Sequence, residues 1–390
     1  VIKSYEMQVR VVDQVYTNIS KCSGCSACKN VCPFSAIVMV EDKKGFLYPV
    51  IDKNKCRDCG LCKSVCQTNK ELSEVNESSV FKFVLDDNVE IKKSQSGGAF
   101  TALSNQILND QGVIYGCIYD LENHRAVHVR TDNVNGRNNM RGSKYIQSDI
   151  QEIYSLVEAD LKDDKQVMFT GTPCQCEGVS LYLEKRHINK ENLLLVDIIC
   201  HGVPSPKLWR SNISWIENKY QGKIAAVNFR NKKFGWNSHI ETYNIGDKEY
   251  QSEIFKNIFD SNVCLRPSCY ECDYASLQRK TDITIGDAWR SDNNYVTSNM
   301  GGESLIIVSS QKGMKEIEKL NQSQLEKIIM TKEYLQPNLV HPTTTKENIA
   351  WFWKDYFRLG YNYVVFFYGK TGFINKAFKI LRRKVLKSHG

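Results

Sequence analysis

Eight cysteines fall within residues 22–66 in two runs of the same spacing: Cys22, Cys25, Cys28 and Cys32, then Cys56, Cys59, Cys62 and Cys66. Each run reads C-x2-C-x2-C-x3-C. The thiolate is the metal-ligating form of cysteine. Three cysteines on a tight loop can cap three irons of a cubane, and the fourth ligand must come from elsewhere. A disulfide scaffold would be short and would scatter its cysteines, whereas this chain has 390 residues. Structural zinc sites usually pair two C-x2-C knuckles rather than two tandem four-cysteine runs. The pattern therefore reads as iron–sulfur ligation in a reducing compartment.

The spacing resembles that of two-cluster bacterial ferredoxins, in which the fourth cysteine of each run ligates the other cluster. On that resemblance one 4Fe–4S cluster takes Cys22, Cys25, Cys28 and Cys66, and the second takes Cys56, Cys59, Cys62 and Cys32. Positioning them requires two short strands between the runs, Ala36–Glu41 and Gly45–Pro49, around the polar turn Asp42-Lys43-Lys44. Pro33 suits the first turn of a short helix after Cys32, and Gln67 stands where the repeat would place a second proline. Two such clusters are an electron conduit with no substrate site of their own. The chain runs on for more than 300 residues beyond them, so the conduit should feed something.

After a polar linker at 71–79 comes a strand at Val80–Leu85 and then Ser94-Gln-Ser96-Gly97-Gly98-Ala-Phe-Thr, which opens a helical pattern. Glycines at a helix start let backbone N–H groups approach an anion, and a dinucleotide phosphate is the attractive ligand. A plain helix cap reads equally well. Further strands end in Gly/Pro loops that bear cysteines: Val167-Met-Phe-Thr170-Gly171-Thr172-Pro-Cys174, and Leu193 to Ile199 followed by Cys200-His201-Gly. In α/β sheets ligands gather at such carboxyl ends. Cys264, Cys269 and Cys272 form a third group ahead of Asp282-Ile-Thr-Ile-Gly-Asp287.

Over residues 20 to 310 the chain resembles the beta subunits of coenzyme F420-reducing hydrogenases and dehydrogenases. The resemblance rests on the ferredoxin runs followed, in order, by "SGGAFTAL", "RGSKYIQS", "TGTPCQ", "CHGVPSP", "CLRPSCYEC" and "DITIGDAW". It implies an FAD-containing iron–sulfur oxidoreductase that exchanges electrons with F420 or another organic substrate, with bacterial polysaccharide biosynthesis as one setting. It implies FAD contacts from Ser96, Gly97, Gly98, Arg141, Gly142, Ser143, Lys144, Tyr145, Thr170, Gly171 and Thr172. It also implies a third 4Fe–4S cluster on Cys174, Cys200, Cys269 and Cys272. Cys264 rivals one of these, because Cys264, Cys269 and Cys272 fit the C-x4-C-x2-C spacing of another ferredoxin type. Cys117 and Cys176 read as buried apolar cysteines. A flavin converts one-electron into two-electron traffic. Lys144 is a candidate to stabilise the reduced ring or to bind phosphate, and Arg141 suits phosphate. His201 is the candidate proton donor, with loop hydrogen bonding as its plainer role. Asp287 reads as a turn residue holding backbone N–H groups.

The fold class expected is α+β: a two-cluster ferredoxin-like domain at 1–70, then an α/β FAD-binding domain of the F420 hydrogenase beta-subunit type at 80–345, in two parts at about 80–160 and 165–330. Residues 346–390 read as a helical basic tail. Of the net charge of +8, seven come from residues 370–390, which hold no acid, leaving about +1 for the rest. The body is therefore no nucleic-acid binder. The tail is a basic amphipathic pattern that could touch an anionic membrane or pack on its own domain. Trp351, Trp353, Tyr356 and Phe357 read as core or docking surface. No run approaches the roughly 20 apolar residues that cross a bilayer, so the expected compartment is the cytoplasm. The expected partners are a ferredoxin or other electron donor and a small-molecule substrate; the alternative role is a non-catalytic electron-transfer subunit of a hydrogenase or dehydrogenase.

Overall fold

The computed structural model describes Val15 and residues 18–69, 78–289 and 301–371. The two cysteine runs share one local plan. Each places its third cysteine on a single helical turn, α1 (Ala27–Asn30) and, after the intervening strands, Leu61–Ser64. Each turn is entered through a left-handed residue, Ser26 or Gly60. Between them β1 (Ile37–Glu41) and β2 (Leu47–Ile51) pair as an antiparallel hairpin, Ile37 opposite Ile51. The second helical turn is α2 (Leu61–Ser64). Pro33 does not begin a helix: α1 has already ended, and Pro33 lies in a turn closed by Ser35 N–H donating to the Cys32 carbonyl at 3.3 Å. A proline soon after a helix end prevents its continuation.

The larger part of the chain continues with β3 (Ser79–Phe83), α3 (Glu90–Lys93), α4 (Ala99–Asn109), β4 (Val113–Asp120), β5 (Arg125–Thr131), α5 (Val134–Met140), β6 (Ser148–Asp149), α6 (Ile153–Lys162), β7 (Val167–Gly171), α7 (Pro173–Lys185), β8 (Leu193–Ile198) and α8 (Pro206–Tyr220). Then follow β9 (Ile224–Asn228), β10 (Glu241–Ile245), β11 (Lys248–Ser252), α9 (Ile254–Asp260), β12 (Ile283–Asp287), β13 (Ser304–Val308), α10 (Gln311–Glu318), β14 (Leu325–Ile328) and α11 (Ile349–Phe367).

The main sheet has the order β14-β3-β13-β12-β8-β7-β4-β5-β6. Its centre, β12-β8-β7-β4, is parallel. Parallel strands are covered on both faces and so read as continuous apolar runs, as Val167-Met-Phe and Leu193-Leu-Leu-Val do. Successive side chains alternate faces. Val113, Tyr115, Val167, Phe169, Leu193 and Leu195 pack with α6 and α7 on one side. Ile114, Met168, Leu194 and Val196 pack with Leu103 and Ile107 of α4 on the other.

The smaller sheet, β11-β10-β9, is antiparallel. With α8, α9 and α11 it builds a third core around Trp209, Phe255 and Phe352. The aromatic cluster expected near residue 351 divides: Phe352, Trp353 and Tyr356 are buried there, whereas Trp351 is 63% and Phe357 49% exposed. The basic tail lies outside the described residues from 372 onward. No helix among the described residues is long and apolar enough to cross a membrane.

Gly97 answers to packing. A Cβ at this position would fall on the Phe83 carbonyl of β3 and the Ser304 amide of β13, so the loop before α4 can lie against the sheet only as glycine. It is Gly98, in the left-handed region at φ 88°, that caps α4. Gly97→Ala should therefore destabilise the whole domain, by about 1–3 kcal/mol as overpacking does, and not act on a ligand alone. A urea midpoint equal to that of the unsubstituted chain would contradict this.

Candidate functional site

The cysteines gather in three groups. Cys22, Cys25, Cys28 and Cys66 line one small cavity with Val15, Met39 and Pro49. Cys32, Cys56, Cys59 and Cys62 line another with Phe34, Ile37 and Ile51. The fourth cysteine of each run thus faces the first three of the other. Among the described residues no three His, Cys, Asp or Glu side chains stand close enough to share a single ion. One zinc with Zn–S bonds of ~2.3 Å would draw four sulfurs within ~4 Å of one another; a cubane holds them further apart. Burial pushes the Cys25 thiol up to about 12 and Cys28 well above its usual range. Only a metal's charge would keep such thiols ionised. Backbone amides point at the sulfurs: Ala36 N–H at Cys32 Sγ and Asp58 N–H at Cys56 Sγ, both 3.4 Å. Such bonds suit sulfur that carries negative charge.

The third group is Cys174, Cys200, Cys269 and Cys272. Cys174 lies in the first turn of α7, whose N-cap Thr172 forms a capping box with Gln175 and whose hydroxyl stands 3.2 Å from Cys174 Sγ. Cys200 follows β8. Cys269 and Cys272 belong to a 3-10 turn at Pro267–Glu271 and its cap. The charge of Cys200 would be felt by Cys269, Cys174 and Cys272. Burial pushes Cys269 up to about 12 and Cys272 up to about 11. Val203 N–H lies 3.4 Å from Cys269 Sγ. Cys264 is not in this group: it is fully buried in the third core, its sulfur 3.8 Å from the Ile258 carbonyl. Cys176 is likewise a core thiol, directed at the Val196 carbonyl. Cys117 departs from the apolar expectation, since it lines a cavity and its charge would be felt by Lys144.

That cavity, of about 460 Å³, opens at the carboxyl ends of β4, β7, β8 and β12. Ser96, Gly98, Arg141, Gly142, Ser143, Lys144, Tyr145, Thr170, Gly171, Thr172, Cys200 and His201 all line it; Gly97 does not. Ser94, Gln95, Arg141, Gly142, Ser143, Lys144 and Arg230 also line an outer cleft of about 1460 Å³, so the two are continuous. Several buried donors and acceptors on this shared wall have no protein partner among the described residues. Arg141 gives one amino group to Glu90, but its Nε and Nη1 have none. Gln95 Nε2 and His128 Nδ1 are also without one. Buried polar groups are almost always satisfied, so these point to a polar ligand. Gly142 sits at φ 79° with nothing within 4 Å of where a Cβ would project.

Lys144 donates to the carbonyls of Asn139, Met140 and Arg141 at 3.2, 2.7 and 2.9 Å, closing the end of α5. Burial lowers it to about 8. Its three N–H groups are spent on carbonyls, so it brings charge to the wall and no free donor. His201 is held at both ring nitrogens, Nε2 by Asn262 Oδ1 at 2.7 Å and Nδ1 by Asn338 Oδ1 at 3.3 Å. It has no nitrogen free to deliver a proton, and the loop-holding role fits it better. Asp287 is not a turn cap: its carboxylate takes Arg230 at 2.6 Å and the Trp236 indole at 2.9 Å.

Sequence reading missed His128, Gln95, Arg230 and His239. His128 is stacked on Phe169 and bound through Nε2 to the Thr170 carbonyl at 3.1 Å, and burial lowers it to about 4. His239 stacks on Tyr145 at 5.8 Å between ring centres. These are lone residues on strands and loops, with no spacing to single them out.

The first cysteine loop rests directly on α7. Gly178 faces Cys25, where a Cβ would meet Cys25 Sγ at 3.2 Å and the Tyr154 hydroxyl at 2.7 Å. That hydroxyl lies 2.8 Å from the Cys25 carbonyl and 2.9 Å from that of Gln175. Arg210 grips Glu41 of the hairpin with both amino groups, at 3.0 and 2.6 Å.

Residues 164–333 match the family model for the C-terminal part of the coenzyme F420 hydrogenase/dehydrogenase beta subunit, and residues 21–70 match the 4Fe-4S dicluster domain. Comparison with curated proteins gives no match. Among solved structures, a chain from the xenon derivatization of the F420-reducing NiFe hydrogenase complex of Methanosarcina barkeri is 17% identical. The match covers 67% of this chain and 84% of that one, with a TM-score of 0.45.

Gly178→Val should push the first cysteine loop off α7. Iron analysis should then find about four fewer irons per chain, one cubane's worth; undiminished iron would show that the loop does not depend on this contact.

Proposed function

Residues 164–333 belong to the coenzyme F420 hydrogenase/dehydrogenase beta-subunit family and residues 21–70 form a 4Fe–4S dicluster domain, and on that premise we propose that this iron–sulfur electron-transfer protein is a flavoprotein oxidoreductase. It takes electrons from a ferredoxin-type donor and delivers them, through FAD, to F420 or another organic substrate. Polysaccharide biosynthesis is one setting for such a substrate. A third cluster on Cys174, Cys200, Cys269 and Cys272 would complete the route.

The observation that carries this reading is the line of sulfur leading to a cavity with unmet polar groups. Cys59 is exposed at one end. Cys25 and Cys174 are close enough to feel each other's charge. Cys200 at the other end is part of the cavity wall. Iron–sulfur clusters supply one-electron steps, and FAD converts these into the paired steps of hydride chemistry. The chain's own residues do the rest. Arg141 and Gln95 would bind an anionic group such as a diphosphate, the guanidinium fork matching its oxygens. Gly142, without a side chain, lets the backbone approach it. Tyr145 and His239 offer a stacked aromatic wall, and the Arg230–Asp287 pair fixes the opposite side of the cavity.

Anaerobically purified protein should contain iron, sulfide and bound flavin, and should reduce an added acceptor when given dithionite. Arg141→Gln should lower bound flavin at least tenfold in affinity while leaving iron unchanged. Flavin retained at full strength would remove Arg141 from the binding site, and flavin reduced without acceptor turnover would leave only an electron-transfer role. Cys269→Ser should cost about four irons per chain, whereas Cys264→Ser should cost none. Equal iron in the two variants would rule out the third cluster as assigned.

A further inference from the structure

One buried cation lies between two of the cysteine groups and has no carboxylate partner. Arg266 precedes the 3-10 turn that carries Cys269 and is 0% exposed. Its Nε donates to the Cys22 carbonyl at 2.6 Å, its Nη1 to Gln147 Oε1 at 2.8 Å and its Nη2 to the Leu47 carbonyl at 2.9 Å. Nη2 also stands 3.7 Å from Cys22 Sγ. The guanidinium lies over the Tyr48 ring at 4.3 Å and near Phe46 at 5.6 Å. Every partner is neutral except the thiol sulfur. The loop is shaped around it: Gly24, at φ 70°, is where a Cβ would meet Arg266 Nη1 at 2.8 Å.

A full charge removed from water is strongly unfavourable unless it is compensated. Neutral carbonyls and aromatic faces lessen the cost but supply no counter-charge. The groups near Arg266 that can become anionic are sulfurs: Cys22 by direct approach, and Cys174 and Cys269, which its charge also reaches. The Cys32, Cys56, Cys59 and Cys62 group has no contact with it.

We propose that Arg266 is a positioning and charge-compensating residue shared by the Cys22, Cys25, Cys28 and Cys66 site and the Cys174, Cys200, Cys269 and Cys272 site, and that it raises the reduction potential of the clusters they hold. A cluster becomes one charge more negative when it gains an electron from a one-electron donor. A fixed cation beside it therefore stabilises the reduced form more than the oxidised one. Because the guanidinium touches both the cysteine-rich lobe and the loop before Cys269, it also fixes the separation of the two sites. This inference rests on the cluster reading above.

The test is an anaerobic potentiometric titration of the full chain with dithionite, followed by electron paramagnetic resonance, with iron measured in parallel. Arg266→Gln keeps a donor amide and removes the charge. It should retain its iron and shift one or two cluster transitions to lower potential. At the wild-type midpoint the oxidised-to-reduced ratio should rise at least tenfold, which is about 59 mV for one electron. The transition of the remote site should not move. Arg266→Lys, which keeps the charge, should shift less in the same direction. If Arg266→Gln loses iron, the lysine variant decides: iron retained supports charge compensation, and iron lost equally overturns it in favour of the hydrogen-bonding fork alone. Unmoved transitions with full iron, or an equal shift of all of them, also overturn the inference. A wild-type chain without cubane signals would instead defeat the cluster reading on which it stands.

Discussion

The meeting of Cys25 with Gly178 is the contact on which the architecture turns. Because Gly178 has no side chain, the first cysteine loop can lie on α7, the same helix that carries Cys174 near its start. Tyr154 locks this contact by reaching carbonyls on both sides, Cys25 and Gln175. α7 is in turn anchored by packing on β7 and β8, whose carboxyl ends form the cavity. A thiol-rich lobe, a loop-borne cysteine quartet and an internal cavity are thereby held in fixed succession by one helix packed on a parallel sheet.

Electrostatics follows from this burial. Thiols taken out of water resist ionisation, which is why Cys25, Cys28, Cys200 and Cys269 are all pushed up. Metal binding is what would reverse that preference. Amide N–H groups directed at sulfur and the guanidinium of Arg266 are arranged as an anionic cluster would require. The cavity wall obeys the same logic. Arg230 and Asp287 satisfy each other, Lys144 is consumed by the end of α5, and Arg141 keeps two donors in reserve. Only the last is set up to meet a ligand.

Several residues changed meaning once the chain was folded. Gly97 and Gly98 look alike in the sequence, yet one is demanded by strand backbones and the other by a left-handed helix entry. His201 beside Cys200 is attractive as an acid, but two asparagines from distant segments hold both its nitrogens. Asp287 looked like a turn residue and is the partner of a buried arginine 57 positions away.

The sequence by itself determined the two cysteine runs, their hairpin, the buried parallel strands and the loops at the ends of those strands. These depend on local spacing, on alternation and on apolar runs, all of which are written along the chain. It left open whether Cys264 belongs with Cys269 and Cys272, because spacing measures distance along the backbone and not the direction of a side chain. Tertiary structure decided that: Cys264 turns into an apolar core, and Cys174 and Cys200 arrive from two other strands. It also decided the roles of Arg266, Gly178, His128 and Gln95. Each matters through a neighbour far away in sequence, and no local pattern records which distant group a side chain will meet.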